Sequence, residues 1–221
     1  NDVDLVVLSP GLPGDLPIVR QALAQGLPVI GEIELFARGL HALNAMASAP
    51  APVLAITGTN GKTTTTALTG HLLRSMGQSV GVAGNISPAA LTALANHVAH
   101  NDLPQVWVLE LSSFQLETTT SLQAAAATVL NISDDHLDRY ADLEAYAAVK
   151  ARIFDGGGVQ VLNRQDAKVY RMALPGRRVI SFGLDAPPAA TDFGLQQQAG
   201  ELWLAQGEQC LLPLSRLPMQ G

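Results

Sequence analysis

An α/β architecture, with a mostly parallel sheet flanked by helices, is expected from three features of this 221-residue sequence. Short apolar runs alternate with stretches of helical spacing. A glycine-rich loop ends one of these runs and opens a helix. Hydrophobic residues make up 48% of the chain and charged residues only 14%, which excludes a disordered protein. Continuous apolar strands are typical of parallel sheets, because helices cover both faces.

The first part of the chain reads as strand, helix, strand, helix. We expect strands over 3–8 and 27–30, and helices over 16–25 and 31–43. A small, Pro-rich stretch at 47–52 then indicates a linker, so we place a domain boundary near 48–51. The chain opens on an apolar strand without an initiator Met, and we therefore expect it to be a fragment.

The second part has the strongest α/β pattern. Strands are expected over 53–57, 79–83, 106–111 and 125–132, and helices over 62–76, 88–97 and 141–154. After residue 158 only short strands follow, over 159–162, 179–182, 202–205 and 209–212. The Gly and Pro residues between these strands favour β-hairpins. We therefore expect a small β-rich side sheet near the C-terminus, beside the mostly parallel sheet that carries the P-loop.

Composition excludes several classes of function. The chain has 13 basic and 19 acidic residues, so a nucleic-acid partner is not expected, because phosphate contacts need a basic surface. No apolar run approaches the roughly 20 residues of a membrane span, so no membrane partner is expected either. The single cysteine, Cys210, cannot form an internal disulfide and is interpreted as a packing residue.

The most informative stretch is residues 58–64, GTNGKTT, which follows a strand and opens a helix. This is the context of a phosphate-binding loop, because the first helical turn offers free backbone N–H groups and glycines allow close approach. Lys62 could then reach the outer phosphates, and the Thr63 hydroxyl could bind magnesium. The strict pattern has a glycine where Ile56 stands, so this is a variant loop. The alternative is a glycine turn with an incidental lysine.

A phosphate loop identifies a ligand and not a reaction. A GTPase would carry a guanine-reading Asn-Lys-x-Asp motif, whereas residues 131–134 read NISD and lack the lysine. A GTPase is therefore disfavoured.

Two polar residues are expected at the carboxyl ends of strands, where ligands bind in open α/β sheets. Asn85, in a turn, either shapes that turn or donates a hydrogen bond to a substrate. Glu110 ends an apolar strand, and a buried carboxylate there requires either a metal ion or an ion pair.

Two further candidates lie later in the chain. Residues 134–138, DDHLD, form either a metal site or a solvated helix cap. Lys150 lies on a predicted helix and is either a surface lysine or an active-site amine. A desolvated lysine loses its charge readily, and a neutral amine can take up carbon dioxide. The resulting carbamate would offer an anionic oxygen to a second magnesium ion.

Four stretches together resemble one enzyme family. Residues 58–64 resemble the ATP loop of the Mur ligases and the folylpolyglutamate synthases. Three others are similar to the branch of the Mur ligases that adds D-glutamate: residues 31–36 (GEIELF), 109–118 (LELSSFQLET) and 135–140 (DHLDRY). The resemblance covers essentially the whole chain, and the LSSFQLE segment is its most specific part.

The resemblance implies a domain organisation and an activity. Residues 1–48 would be the C-terminal part of a Rossmann-like UDP-binding domain, and 49–221 a central ATPase domain truncated at its C-terminal end. The C-terminal ligase domain would be absent, and the fragment alone inactive. The implied reaction joins UDP-N-acetylmuramoyl-L-alanine to D-glutamate through an acyl phosphate, with ATP split to ADP. A monomer in the bacterial cytoplasm, making peptidoglycan precursors, is implied.

The resemblance also implies roles for individual residues. ATP would be bound by Gly58, Thr59, Asn60, Gly61, Lys62, Thr63 and Thr64. Catalytic roles fall to Lys62, His136 and Lys150. Two magnesium ions would be held by Thr63, Glu110, His136 and Lys150, the last as a carbamate. Substrate contacts fall to Ser9, Asn85, Ser112 and His136.

Two alternatives stay open. A sister ligase of the same family, or a folylpolyglutamate-type ligase, should lack the Ser-Ser-Phe-Gln segment. A non-catalytic nucleotide-binding module should lack Glu110, His136 or Lys150, and all three are present.

Overall fold

The computed structural model describes residues 3–135 and 139–217. Within these ranges the strands are β1 (Val6–Val7), β2 (Val29–Ile30), β3 (Val53–Thr57), β4 (Val80–Gly84), β5 (Val106–Glu110), β6 (Ala126–Val129), β7 (Val159–Asn163), β8 (Val179–Phe182), β9 (Phe193–Gln198), β10 (Glu201–Gln206) and β11 (Gln209–Pro213). The α-helices are α1 (Pro17–Ala24), α2 (Glu32–Met46), α3 (Lys62–Ser75), α4 (Ala90–His100), α5 (Ser113–Glu117), α6 (Leu143–Ala151) and α7 (Ala167–Tyr170). A 3₁₀ turn, Arg152–Phe154, extends α6, and another, Leu214–Arg216, follows β11.

Nine strands form one sheet in the order β11-β10-β9-β8-β7-β6-β3-β5-β4. Strands β3 to β9 pair in parallel with their neighbours, and among the described strands only β10 runs antiparallel, to β9 and to β11. The predicted α/β sheet with a β-rich end is therefore confirmed. The short β1 and β2 form a separate parallel pair.

Part of the predicted hairpin region is wrong. Strands β7 and β8 belong to the parallel sheet, because α7 lies between them as a crossover. The β-rich end is a continuation of the same sheet, joined where Phe182 pairs with Phe193. Strand β9 was missed in the sequence because its QQQ stretch (196–198) does not alternate between apolar and polar residues.

The core is centred on β5, in which all five residues are buried. Trp107 on this strand is fully covered, and the ring of Phe36 from α2 meets it edge-on at 5.1 Å between centroids. Gly81 on β4 leaves the space for this indole, since a Cβ at position 81 would lie 2.5 Å from Trp107 Cε3. The glycine is thus required by close packing between neighbouring strands.

Helix α2 packs into this same core. Its buried apolar face comprises Ile33, Phe36, Ala37 and Leu40. The carboxylate of Glu34 is 1% exposed and accepts hydrogen bonds from the backbone N–H groups of Thr120 (2.8 Å) and Ser121 (2.9 Å). Glu32, two residues earlier, accepts from the N–H of Leu91 in the first turn of α4. The segment before the linker is thereby joined to the large sheet, and the domain boundary near 48–51 stays a prediction.

None of the helices within residues 3–135 and 139–217 combines the length and the apolar character needed to cross a membrane.

Glu34 yields a prediction about acid stability. Burial alone would raise the pKa of this carboxyl, but hydrogen bonds from Thr120, Ser121 and Arg38 lower it to about 2. Because its ordinary value is 4.5, the stabilising contribution of Glu34 is complete above pH 4.5 and disappears as the pH falls towards 2. We expect Glu34→Gln to lower the free energy of unfolding at pH 7 by about 1–3 kcal/mol.

Denaturant unfolding of the chain between pH 2 and 7 measures both effects. The variant should lose less stability than the wild type over the acid range. Glu144→Gln, which changes a carboxylate whose side chain is 75% exposed, is the control and should retain the wild-type profile. Parallel pH profiles for Glu34→Gln and the wild type would contradict the interpretation.

Candidate active site at the carboxyl edge of the sheet

The loop between β3 and α3 depends on two glycines in positive-φ conformations. Gly61, the residue that caps α3, has φ 80°, and Gly58 has φ 151°. A Cβ at position 58 would lie 3.0 Å from the Cβ of Leu130, on the segment that follows β6. Gly61 has no side chain that could accept from the first turn of α3, so the N–H groups of that turn are available to a bound anion.

Residues 131–133 brace this loop from the side. The backbone carbonyl of Asn131 accepts from Thr59 N (3.0 Å), and its side-chain oxygen accepts from Asn60 N (2.8 Å). Thr59 Oγ1 accepts from Ser133 N at 3.1 Å. Sequence reasoning used Asn131 only to exclude a GTPase and missed this role. The available signal was an Asn directly after a parallel strand, next to the strand that carries the glycine loop.

Lys62 lies at the mouth of the loop. Its Nζ donates to the carbonyl oxygens of Gly58 (2.9 Å) and Thr59 (2.7 Å), so the ammonium is held where the loop begins to turn. Thr63 and Thr64 are exposed in the first turn of α3. A cation, exposed hydroxyls and free amides at one helix start are suited to binding phosphate oxygens.

Glu110, at the end of β5, has one carboxylate oxygen without a partner among the described residues. The residue is 2% exposed; Oε1 accepts from Asn85 Nδ2 at 2.9 Å, while Oε2 is buried and receives no hydrogen bond from residues 3–135 or 139–217. In the described part of the chain Glu110 forms no ion pair, which disfavours the ion-pair alternative. A buried, unsatisfied carboxylate oxygen fits a divalent cation, since hard cations take oxygen ligands. The amide of Asn85 is thereby placed beside the same candidate ligand.

Lys150, on α6, is 1% exposed, so the surface-lysine alternative is wrong. Its Nζ donates to Thr57 Oγ1 at 3.2 Å, and Thr57 in turn donates to the carbonyl of Leu111 at 2.6 Å. The amine lies 4.7 Å from the centroid of the Tyr146 ring. Burial lowers the pKa of Lys150 to about 7, with Lys62 acting in the same direction and Asp135 against it. A substantial fraction of the Lys150 amine is therefore unprotonated at neutral pH.

The register of the sheet brings these groups to one edge. Glu110 pairs with Ile56, the residue before Thr57, and Thr57 holds the Lys150 amine. The glycine loop begins directly after Thr57. The predicted groups on β3, β5, α3 and α6 therefore converge at the carboxyl ends of the parallel strands.

The remaining predicted residues have other surroundings. The hydroxyl of Ser112 accepts from Gln115 N (3.2 Å) and caps α5. Ser9 is exposed in the loop after β1. His136 lies outside the described residues. Within 3–135 and 139–217, His, Cys, Asp and Glu side chains do not form a group of three or more that could hold a metal ion.

The sequence matches one family model, the Mur ligase middle domain, over residues 56–214. Two curated relatives, both named UDP-N-acetylmuramoylalanine--D-glutamate ligase, are 55% identical. The relative from Aromatoleum aromaticum aligns with 100% of this chain and 47% of its own length. That from Thiobacillus denitrificans aligns with 99% of this chain and 47% of its own length. The chain therefore spans about half the length of the curated relatives it matches.

Solved structures show the same architecture. A structure of UDP-N-acetylmuramoyl-L-alanyl-D-glutamate--2,6-diaminopimelate ligase superposes with a TM-score of 0.64 and 26% identity, covering 96% of this chain and 53% of the other. Escherichia coli FolC, in complex with DHPP and ADP, gives a TM-score of 0.57 at 20% identity, over 86% of this chain and 53% of the other. The second likeness concerns the fold alone.

The buried amine yields a second prediction. Between pH 7 and 10.5 the unfolded chain holds the proton that folded Lys150 has released, so the free energy of unfolding rises with pH over that range. We expect Lys150→Met to increase stability at pH 6, because an apolar side chain avoids the cost of burying a charge. The variant should also lose part of the rise towards pH 10.

Denaturant titrations between pH 6 and 10, in buffer freed of carbon dioxide, measure this slope. Lys168→Met, which replaces a lysine paired with Glu144 on the surface, is the matched control and should retain the rise. A Lys150→Met variant with an unchanged slope and lower stability at pH 6 would contradict the assignment of a depressed pKa.

Proposed function

Because this chain belongs to the Mur ligase family, we propose that the whole protein is an ATP-dependent ligase that joins D-glutamate to UDP-N-acetylmuramoyl-L-alanine. The names of the relatives at 55% identity support this choice among the Mur ligases. The observation that carries it is the buried Oε2 of Glu110, which has no partner among the described residues and lies at the same sheet edge as the phosphate loop and the Lys150 amine. On this proposal residues 1–48 end a UDP-binding domain and 49–221 belong to the central ATPase domain.

The chemical problem in such a reaction is that an anionic carboxylate must approach an anionic phosphate. The N–H groups at the start of α3 and the Lys62 ammonium reduce that repulsion, because they place positive charge around the phosphate oxygens. We assign ATP contacts to Gly58, Thr59, Asn60, Gly61, Lys62, Thr63 and Thr64. A carboxylate oxygen can then attack the γ-phosphorus with ADP as the leaving group, which forms an acyl phosphate. The amine of D-glutamate attacks the carbonyl carbon of this acyl phosphate, and phosphate and a proton are released as the amide forms.

Magnesium fits the donors that this edge offers. Thr63 and Glu110 would hold one ion, and His136 and a carbamylated Lys150 a second. Bound magnesium would neutralise charge on the transferred phosphoryl group. The half-neutral amine of Lys150 supports the carbamate, because only the unprotonated form reacts with carbon dioxide. Thr57 holds this amine in place through its hydroxyl.

Substrate contacts are assigned to Asn85, Ser112, His136 and Ser9. Asn85 is fixed beside Glu110, and Ser112 opens the short helix that follows the same strand. Ser9 lies on the segment proposed to belong to the UDP-binding domain. We propose that the protein works as a monomer in the bacterial cytoplasm, in the synthesis of peptidoglycan precursors.

Phosphate release by the full-length protein tests the function, and Lys62→Ala tests the loop. Release should require ATP, UDP-N-acetylmuramoyl-L-alanine and D-glutamate together. Lys62→Ala should reduce kcat at least about 100-fold, because a positive group at the transferred phosphoryl is lost. Lys168→Ala, a surface lysine on α7, is the control.

Two outcomes would contradict this assignment. Equal turnover with L-lysine or meso-diaminopimelate in place of D-glutamate would move the protein to a sister ligase. Wild-type turnover in a folded Lys62→Ala variant would remove the phosphate-loop assignment.

The carbamate makes a separate prediction. Lys150→Ala in the full-length protein should lose at least about 100-fold in kcat, since an oxygen ligand for the second cation disappears. Acetate or formate should restore part of the activity by entering the vacated space, and should not stimulate Lys62→Ala. Full activity of Lys150→Ala without added acid would exclude a catalytic role for this residue.

A further inference from the structure

The segment between β6 and α6 has two described parts, residues 130–135 and 139–142, and each is bonded to a neighbouring element. Its first part is bonded to the phosphate loop through Asn131 and Ser133. Its last part is bonded to α5 through Arg139 and Tyr140, which directly follow residues 136–138 in the sequence. The contacts of Arg139 and Tyr140 with α5 have no role in the chemical steps of the proposed reaction.

Glu117, the last residue of α5, uses both carboxylate oxygens at this end. Oε2 forms an ion pair with Arg139 Nη2 at 2.7 Å, and Oε1 accepts from the Tyr140 hydroxyl at 2.6 Å. The Arg139 and Glu117 side chains are only 20% and 25% exposed. The backbone carbonyl of Glu117 also accepts from Arg152 Nη1 at 2.9 Å. A largely covered, charge-assisted pair with two partners on one carboxylate defines a single geometry better than an exposed ion pair does.

Arg139 also reaches a third segment. Its guanidinium lies 4.4 Å from the centroid of the Phe114 ring, and Nη2 donates to the carbonyl of Leu12 at 3.3 Å. Leu12 is in the loop after β1, the same loop that contains Ser9. One side chain thus joins the N-terminal loop, α5 and the segment 139–142.

Tyr140 connects the pair to the phosphate loop. Its ring stacks on Phe114 at 6.2 Å and contacts the Tyr146 ring at 5.3 Å between centroids. The hydroxyl of Tyr146 lies 3.5 Å from Thr59 Oγ1. Burial, together with the hydrogen bond to Glu117, raises the pKa of Tyr140, so its hydroxyl remains a proton donor. Tyr140 thus packs against Tyr146, whose hydroxyl borders the phosphate loop.

These groups border an open cleft of about 750 Å³ between the N-terminal loop and α5. Its lining residues are Gly11, Pro13, Gly14, Asp15, Phe114, Glu117 and Arg139. The cleft separates the segment assigned to the UDP end from the elements that carry the proposed catalytic groups, and Arg139 spans it at one point.

We propose that Glu117, Arg139 and Tyr140 form a positioning clamp for the nucleotide-sugar substrate. The inference rests on the proposed function. The clamp fixes the N-terminal loop and the segment 139–142 relative to α5, so that a substrate bound by both sides presents its carboxylate to the phosphate. The clamp aligns the nucleotide-sugar substrate and not ATP. Loss of the clamp should therefore lower kcat/KM for the nucleotide-sugar substrate and leave KM for ATP unchanged.

Steady-state phosphate release by the full-length protein tests the clamp in Glu117→Gln, Arg139→Lys and Tyr140→Phe. For UDP-N-acetylmuramoyl-L-alanine we expect kcat/KM to fall about tenfold or more, while KM for ATP stays within about twofold. The double variant Glu117→Gln/Arg139→Lys should lose less than the product of the two single losses, because either change alone already breaks the Glu117–Arg139 ion pair. Glu144→Gln, the same chemical change in the surface ion pair with Lys168, should leave both parameters unchanged.

Other outcomes would overturn either the clamp alone or the proposed function together with the clamp. If KM for ATP changes as much as KM for UDP-N-acetylmuramoyl-L-alanine, and the thermal midpoint falls, the clamp is a merely structural feature and the proposal is overturned. Additive losses in the double variant, or unchanged kinetics in all three single variants beside an active wild type, would do the same. An unsubstituted full-length protein that releases no phosphate with all three substrates would overturn the proposed function, and the clamp with it.

Discussion

Two buried ionisable groups at the carboxyl edge of the sheet, the Glu110 carboxylate and the Lys150 amine, are the constraint on which the rest of the site depends. Neither has enough partners within the described chain to make its burial favourable without a further ligand: Glu110 has an unpaired oxygen, and Lys150 donates to a single hydroxyl. Buried groups of this kind cost stability unless a cation, an anion or a change of protonation compensates them. Their presence together, beside the glycine loop, supports the proposed site, in which bound groups would compensate both.

The parallel sheet is what brings these groups together. Residues from β3, β5 and the loop after β6 are far apart in sequence, but their strands are neighbours and end at the same edge. Two described segments after β6 add precision, because Asn131 is bonded to the glycine loop and Arg139 to α5. Binding groups on loops work best when a rigid scaffold fixes the loops, and here the scaffold acts from two sides.

Helix α2 changes the expected relation between the two parts of the chain. The proline-rich linker near residue 50 suggested that everything before it belongs to one unit. The carboxylates of Glu32 and Glu34 nevertheless bond to α4 and to the segment after α5, and Phe36 packs on Trp107. The GEIELF segment thus acts as an attachment to the large sheet. The N-terminal strand pair ends with β2, and α2 follows it directly in the sequence.

Local signals in the sequence determined the alternating α/β order, the glycine loop before α3 and the candidate groups at strand ends, because these depend on composition and short spacing. The environment of each group was decided only by tertiary structure. Lys150 could not be distinguished from a surface lysine, since its burial depends on Thr57 and Tyr146, 93 and 4 positions away. The parallel pairing of β7 and β8, the bracing by Asn131 and the contact between Glu117 and Arg139 likewise arise from neighbours that only the folded sheet brings together.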